Sequence, residues 1–119
     1  MMPFDQELAF RLEKVVTQNL KSVRGLTETR MMGGFGYFLN GNMCIGIHKD
    51  TLMIRVGQQT AERIIQQPLV REMDFTGKVM KAWATVESGA IKTDQQLIEF
   101  CQLSIDFVSS LPAKENKKE

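Results

Sequence analysis

A chain of 119 residues, 43% apolar and 24% charged, can bury one core and has the balance of an ordinary globular domain, neither disordered nor membrane-spanning. Fifteen Lys and Arg against fourteen Asp and Glu leave a net charge of +1, so no global field draws it to nucleic acid or acidic lipid and only a local patch could. Cys44 and Cys101 are isolated, with no CxxC and only one histidine, His48. A metal, a cofactor or a disulfide framework is therefore not expected, and reduced thiols in a cytoplasm are. The opening residues MMPFDQELAF lack the pattern of a leader, and no window approaches the roughly 18 apolar residues of a spanning helix.

In chain order, Phe4, Leu8, Leu12, Val15, Val16, Leu20 and Val23 recur at spacings of three and four, which predicts an amphipathic helix with Asp5 as its N-cap and Gly25 beyond its end. From Thr27 the period changes to two. FGYFL, NMCIGIHK and TLMIRVG, separated by Asn40-Gly41 and Lys49-Asp50, predict an antiparallel meander, with TETRMM as a further strand ahead of it. QQTAERIIQQ predicts a short helix with Ala61, Ile64 and Ile65 inward, ended by Pro68; EMDFTGK predicts a strand and a turn at Thr76-Gly77, and MKAWATVES the last strand. Thr93-Asp94-Gln95-Gln96 is a capping box opening a final helix whose apolar face is Leu97, Phe100, Cys101, Ser104, Ile105, Val108 and Leu111. The expectation is an α+β fold in which a sheet of about five strands carries the N- and C-terminal helices on one face. One domain is expected over residues 3–112, followed by a disordered polar tail over 113–119.

The glycines of MMGGFGYFLNGN run into a strand and a hairpin, not into a helix N-terminus, so they do not form a phosphate cradle. Gly33 and Gly34 suit a bulge or kink, and Gly36 and Gly46 a close approach to the sheet. Counting from the two turns pairs Phe38 with Met43, Tyr37 with Cys44, Ile47 with Leu52, Ile45 with Ile54, and Cys44 with Arg55. One face is then Phe38, Met43, Ile45, Ile47, Leu52, Ile54 and Val56, the expected core. The other is Phe35, Tyr37, Leu39, Cys44, Met53 and Arg55, too apolar to face water without a cover. That cover is either the chain itself or a partner or second copy with Arg55 as anchor.

For catalysis the chain offers little. Ser88, Ser104, Ser109 and Ser110 have no GxSxG context, His48 belongs to a hairpin end, and Glu72 with Asp74 lacks a base, metal or cleft. Arg24, Arg30, Arg55, Lys78 and Lys81 near Trp83, Tyr37 and Phe35 have the composition of a single-strand or anion binder, against which stands scattered surface charge.

Three blocks, RMMGGFGYFLNGNMCIGI (Arg30 to Ile47), LMIRVG (Leu52 to Gly57) and MDFTGKVMKAWATV (Met73 to Val86), with the ending SSLPAK, closely resemble the TfoX N-terminal domain family over about Phe4 to Ala113. The resemblance implies an α+β domain related in architecture to secretion-chaperone-like folds. It also implies an association with TfoX/Sxy proteins, bacterial competence regulators that act with the cyclic-AMP receptor protein and carry a second, C-terminal domain. It supplies no catalytic residues. The matching positions are Arg30, Gly33, Gly34, Asn40, Gly41, Asn42, Arg55, Gly57, Asp74, Phe75, Gly77 and Trp83, most of them explicable as turns and packing. Arg30, Arg55, Asp74 and Trp83 are not so explained. The sequence thus points to a bacterial, cytoplasmic, non-enzymatic regulatory or interaction module, homodimeric, with a transcription-machinery protein as a possible partner. Its expected surface is Arg30, Phe35, Tyr37, Arg55, Asp74, Lys81 and Trp83; a nucleic-acid or anion binder is the alternative.

Overall fold

The computed structural model describes residues 4–31, 34–75 and 77–114. Gly33, Thr76 and, of the tail expected over 113–119, the residues from Glu115 to Glu119 lie outside them. Asp5 caps helix α1 (Gln6–Asn19) by accepting from the Leu8 amide at 3.0 Å, and Leu8, Ala9, Leu12 and Val15 form its buried stripe. Strands β1 (Leu26–Met31), β2 (Gly34–Leu39), β3 (Asn42–His48) and β4 (Thr51–Arg55) follow. Then come helix α2 (Gln58–Ile64), strands β5 (Val70–Phe75) and β6 (Lys78–Val86), a 3-10 turn at Ser88–Ala90 and helix α3 (Asp94–Val108). The capping box of α3 is present, with Thr93 and Gln96 bonded reciprocally at 3.0 and 3.1 Å.

The strands form one antiparallel sheet in the order β1-β2-β3-β4-β6-β5. That is six strands where about five were expected: the further strand at TETRMM is β1, polar over residues 27–30 and paired along its whole length with β2. Helix α3 lies over β3 and β4, α2 over β6, and α1 beside α3, so the helices cover one face. The covered face carries two apolar rows, Phe35-Ile47-Leu52-Val86-Val70 and Tyr37-Ile45-Ile54-Ala84, all buried.

One register differs from expectation and changes the faces. Phe38 pairs with Met43 as the Asn40-Gly41 turn requires, but a β-bulge between Tyr37 and Phe38 pairs Tyr37 with Ile45 and leaves Cys44 as the extra residue of β3. An inserted residue reverses the alternation beyond it. Phe35, Tyr37, Leu39 and Cys44, expected on the second face, are therefore buried under the helices. Phe38 and Met43, expected in the core, are half-buried on the opposite side. Gly36 is fixed by the same bulge, because a Cβ there would strike the Ile45 carbonyl oxygen.

Cys44 is accommodated by α3. Ser104 Oγ donates to the Cys44 carbonyl at 2.8 Å, and the two side chains meet at 3.1 Å. A hydroxyl has one proton to give, so in this contact the thiol donates. The β2–β3 turn has positive φ at Asn40 (52°) and Gly41 (84°), the geometry that favours glycine at its second position. It also receives the chain beyond α3: the Lys114 amide donates to the Asn40 carbonyl at 2.8 Å, and Asn42 donates to the Pro112 carbonyl at 3.1 Å.

Candidate interaction surface

The second face of the sheet has no helix on it. One ladder row crosses all six strands there, Thr29-Gly36-Gly46-Met53-Thr85-Arg71. Beside it stand Phe38 with Met43, and Arg55 with Trp83, each a cross-strand pair of half-buried residues; Trp83 also lines a hollow shared with Gln58, Ala61, Glu62 and Ile65 at α2. Thr29, Gly36, Phe38, Met43, Gly46 and Met53 are among the residues lining a shallow hollow of about 180 Å³. The methyl tips of Met53 and Met43 lie 3.1 and 3.2 Å from where a Cβ of Gly46 would stand, so the two thioethers fold over the glycine. Met73 is buried yet stands apart from the helix-side core, beside Met53 and Thr85 in a second hollow. The result is a floor of flexible, polarizable side chains that can adapt to what lies against them.

Arg55 is the polar exception. Its Nε is buried and, among the described residues, has no hydrogen-bond partner, while Nη1 reaches the Met43 carbonyl only at 3.5 Å. Burying a donor without an acceptor is costly, and no described residue offsets that cost.

The seven residues expected from the sequence divide. Arg55 and Trp83 face each other across β4 and β6, and Lys81 is exposed two residues along the same strand from Trp83. Asp74 is exposed on the edge strand β5 opposite Val79. Arg30 is elsewhere: β1 and β6 are four strand spacings apart, about 19 Å. Its guanidinium caps the Phe35 ring with its carbon 4.8 Å from the centroid and approaches Glu28 at 3.4 Å. Phe35 and Tyr37 do not belong to the open face at all. Phe35 stacks on Phe4 with centroids 5.9 Å apart and meets Tyr37 edge-on at 5.7 Å. The Tyr37 hydroxyl approaches Glu28 at 3.4 Å, and burial, reinforced by Glu28, raises the phenol above its usual range.

The predicted basic cluster is therefore split, with Arg30 on one edge of the sheet and Arg55, Lys78 and Lys81 toward the other. Among the described residues no three of His, Cys, Asp and Glu come together as metal ligands. His48 is exposed beside the β3–β4 turn. Phe38 and Met43 are the surface residues that sequence reasoning missed. Their signal was the consecutive apolar pair Cys44-Ile45 opposite Tyr37, which a strict alternation cannot bury on one face.

A helix, an antiparallel sheet covered on one side and open on the other, and a returning helix define a two-layer α+β domain. The chain belongs to the TfoX N-terminal domain family, whose family model matches residues 18–108. The match begins at the end of α1 and closes with α3, a shorter span than Phe4 to Ala113. No curated protein and no solved structure matches it. Among the described residues no helix is long and apolar enough to cross a membrane.

Proposed function

We propose that this chain is a non-enzymatic, homodimeric interaction module of bacterial transcriptional regulation, acting in the cytoplasm, which docks a protein partner on the open face of its sheet. The observation that carries this reading is Arg55 Nε, buried without an acceptor among the described residues, between the Met43 carbonyl and the cross-strand Trp83. A partner carboxylate would satisfy that donor while the methionines seal around it. Both sheet edges favour contact through the face over strand addition. Edge strand β1 presents Thr27, Glu28, Thr29 and Arg30, and β5 presents Arg71, Glu72 and Asp74.

The alternative, a nucleic-acid or anion site, has in its favour Trp83 opposite Arg55 with Lys78 and Lys81 exposed on the same strand. One experiment addresses both. Tagged protein is used to capture partners from lysate of the source cell, with and without nuclease, in parallel with Arg55→Ala and Met53→Lys. A protein partner that survives nuclease and is lost with both variants is the expected result. Capture that vanishes with nuclease and weakens steeply with salt transfers the surface to nucleic acid, and capture indifferent to both variants removes the assignment.

A further inference from the structure

Where the open face meets the β3–β4 turn, the sheet carries a hollow of about 310 Å³, within the size range of small-molecule sites. Met53, Thr85 and Met73 form its floor, and the Arg71–Glu87 ion pair forms one wall. Two threonines at the hollow are buried, and they differ. Thr51 donates to the His48 carbonyl at 2.8 Å. Thr85 is only 5% exposed, yet among the described residues its hydroxyl has no hydrogen-bond partner. Arg55 Nε is the one side-chain nitrogen or oxygen among the described residues that is both sealed from solvent and unpartnered. The Thr85 hydroxyl is therefore not sealed, and its opening is into the hollow that it lines. It stands there with one proton to give and two lone pairs to fill.

The charges around this floor do not cancel. Arg71 and Glu87 neutralise each other, which leaves Lys49 and Asp50, side by side in the turn, and Asp74 on β5. Among the described residues none of the three has an ion-pair partner. His48, also at the rim, is formally neutral at pH 7. The nearest other charges are engaged or turned elsewhere. Asp5 caps α1, Glu72 lines the separate hollow beside α2, and Lys78 pairs with Phe75 at the far end of the β5–β6 hairpin. One ammonium and two carboxylates therefore ring a concave floor of thioethers and a free hydroxyl.

We propose that this hollow binds a free basic amino acid, of the chemistry of lysine or arginine. Such a molecule carries one carboxylate and two cationic groups, the complement of the three unpaired charges. Lys49 and Asp50 are neighbours, as the carboxylate and ammonium of a free amino-acid head are, and they take that head, with Thr85 accepting from the ammonium. The aliphatic stem lies along Met53 and Met73, whose flexible thioethers fit themselves to it. The distal cation meets Asp74. The charged head distinguishes a free amino acid from a basic side chain of a protein, which could use Asp74 and the methionines but has no carboxylate for Lys49. Arg55 does not line the hollow, so the site is separate from the protein contact proposed above.

The test is isothermal titration calorimetry of the full chain with L-lysine, L-arginine, L-alanine and Nα-acetyl-L-lysine methylamide, with circular dichroism on every variant. Expected is saturable binding of lysine or arginine. Alanine, without the distal cation, and the blocked lysine, without the charged head, each bind at least about tenfold more weakly. Asp74→Asn, at an exposed position that folding does not need, lowers affinity by a similar factor, and Lys49→Gln abolishes the preference for free over blocked lysine. Thr85→Val weakens binding with an unchanged spectrum, and Arg55→Ala leaves it intact. No saturable binding of either basic amino acid overturns the inference. So does alanine binding as tightly as lysine, or an affinity indifferent to both Asp74→Asn and Lys49→Gln. Blocked lysine binding as tightly as free lysine also overturns it and assigns the hollow to a basic side chain of a protein.

Discussion

The two faces of the sheet are built from the same strands and differ in what finishes them. On the helix side, Leu52, Ile54, Ala84 and Val86 are wholly buried, and the one polar group that α3 brings down, Ser104, is satisfied by Cys44. On the open side, Met53, Arg55 and Trp83 alternate with those same residues, remain half-buried, and include a donor without an acceptor. A face that only stabilises the fold has its hydrogen bonds closed and its rigid β-branched and leucine side chains packed. The open face has neither property, and that contrast, more than its apolar content, marks it as a contact surface.

The largest expected effect tests the contrast at adjacent residues. Leu52→Ala should cost about 2–5 kcal/mol of stability, because it leaves a cavity between β4 and the helices that the packed core cannot close. Met53→Ala, one residue along and on the other face, should cost below about 1 kcal/mol, since its side chain is flexible and only half-buried. Urea denaturation of the two variants measures both. Equal losses would mean that the open face is as tightly packed as the core and would break the comparison.

A smaller effect separates the faces by pH. Burial raises the Cys44 thiol from 9.0 to about 11, with the charge of Arg55 acting the other way. The folded protein therefore keeps a proton that the unfolded chain releases. Stability from this group is complete below about pH 9 and falls as pH rises toward about 11, by roughly 2–3 kcal/mol over the window. Tyr37 and Cys101 shift in the same direction through burial, so the measurement is the difference in alkaline slope between the chain and Cys44→Ala, under reducing conditions. A slope unchanged by Cys44→Ala would show the thiol to be far wetter than its contact with Ser104 implies.

Most of this architecture could be read from the sequence because local signals agreed with one another. Asp5, Thr93 and Gln96 cap where side-chain chemistry allows only caps, Asn40-Gly41 forces a hairpin, and the helical spacing of Leu8, Leu12 and Val15 has one solution. The faces of β2 could not be read in the same way. Their assignment depends on parity, and parity is lost at a single extra residue, Cys44, whose cause is long-range: α3 supplies Ser104 to hold it. For the candidate site this exchanged Phe35 and Tyr37 for Phe38 and Met43 but left Met53 and Arg55 in place, because the pairings of β4 carry no register shift, whereas β6 shifts against β5 next to Trp83.

The smallest effect is the most discriminating. Arg55→Met removes the guanidinium and extends the row of thioethers begun by Met43 and Met53. In an ordinary structural position, losing a charged side chain with a partly buried head is destabilising. Here the Nε has no acceptor among the described residues and the head's contact with the Met43 carbonyl is long, so the substitution exchanges an unmet desolvation cost for apolar contact. Stability in dilute solution should stay level or rise by up to about 1 kcal/mol, while partner capture falls. Opposite signs in the two measurements are what a residue kept for binding produces, since its cost to the isolated fold is recovered only in the complex. A loss of stability above about 1 kcal/mol would instead make Arg55 a clamp on the bulge through the Met43 carbonyl, and the open face would lose its anchor.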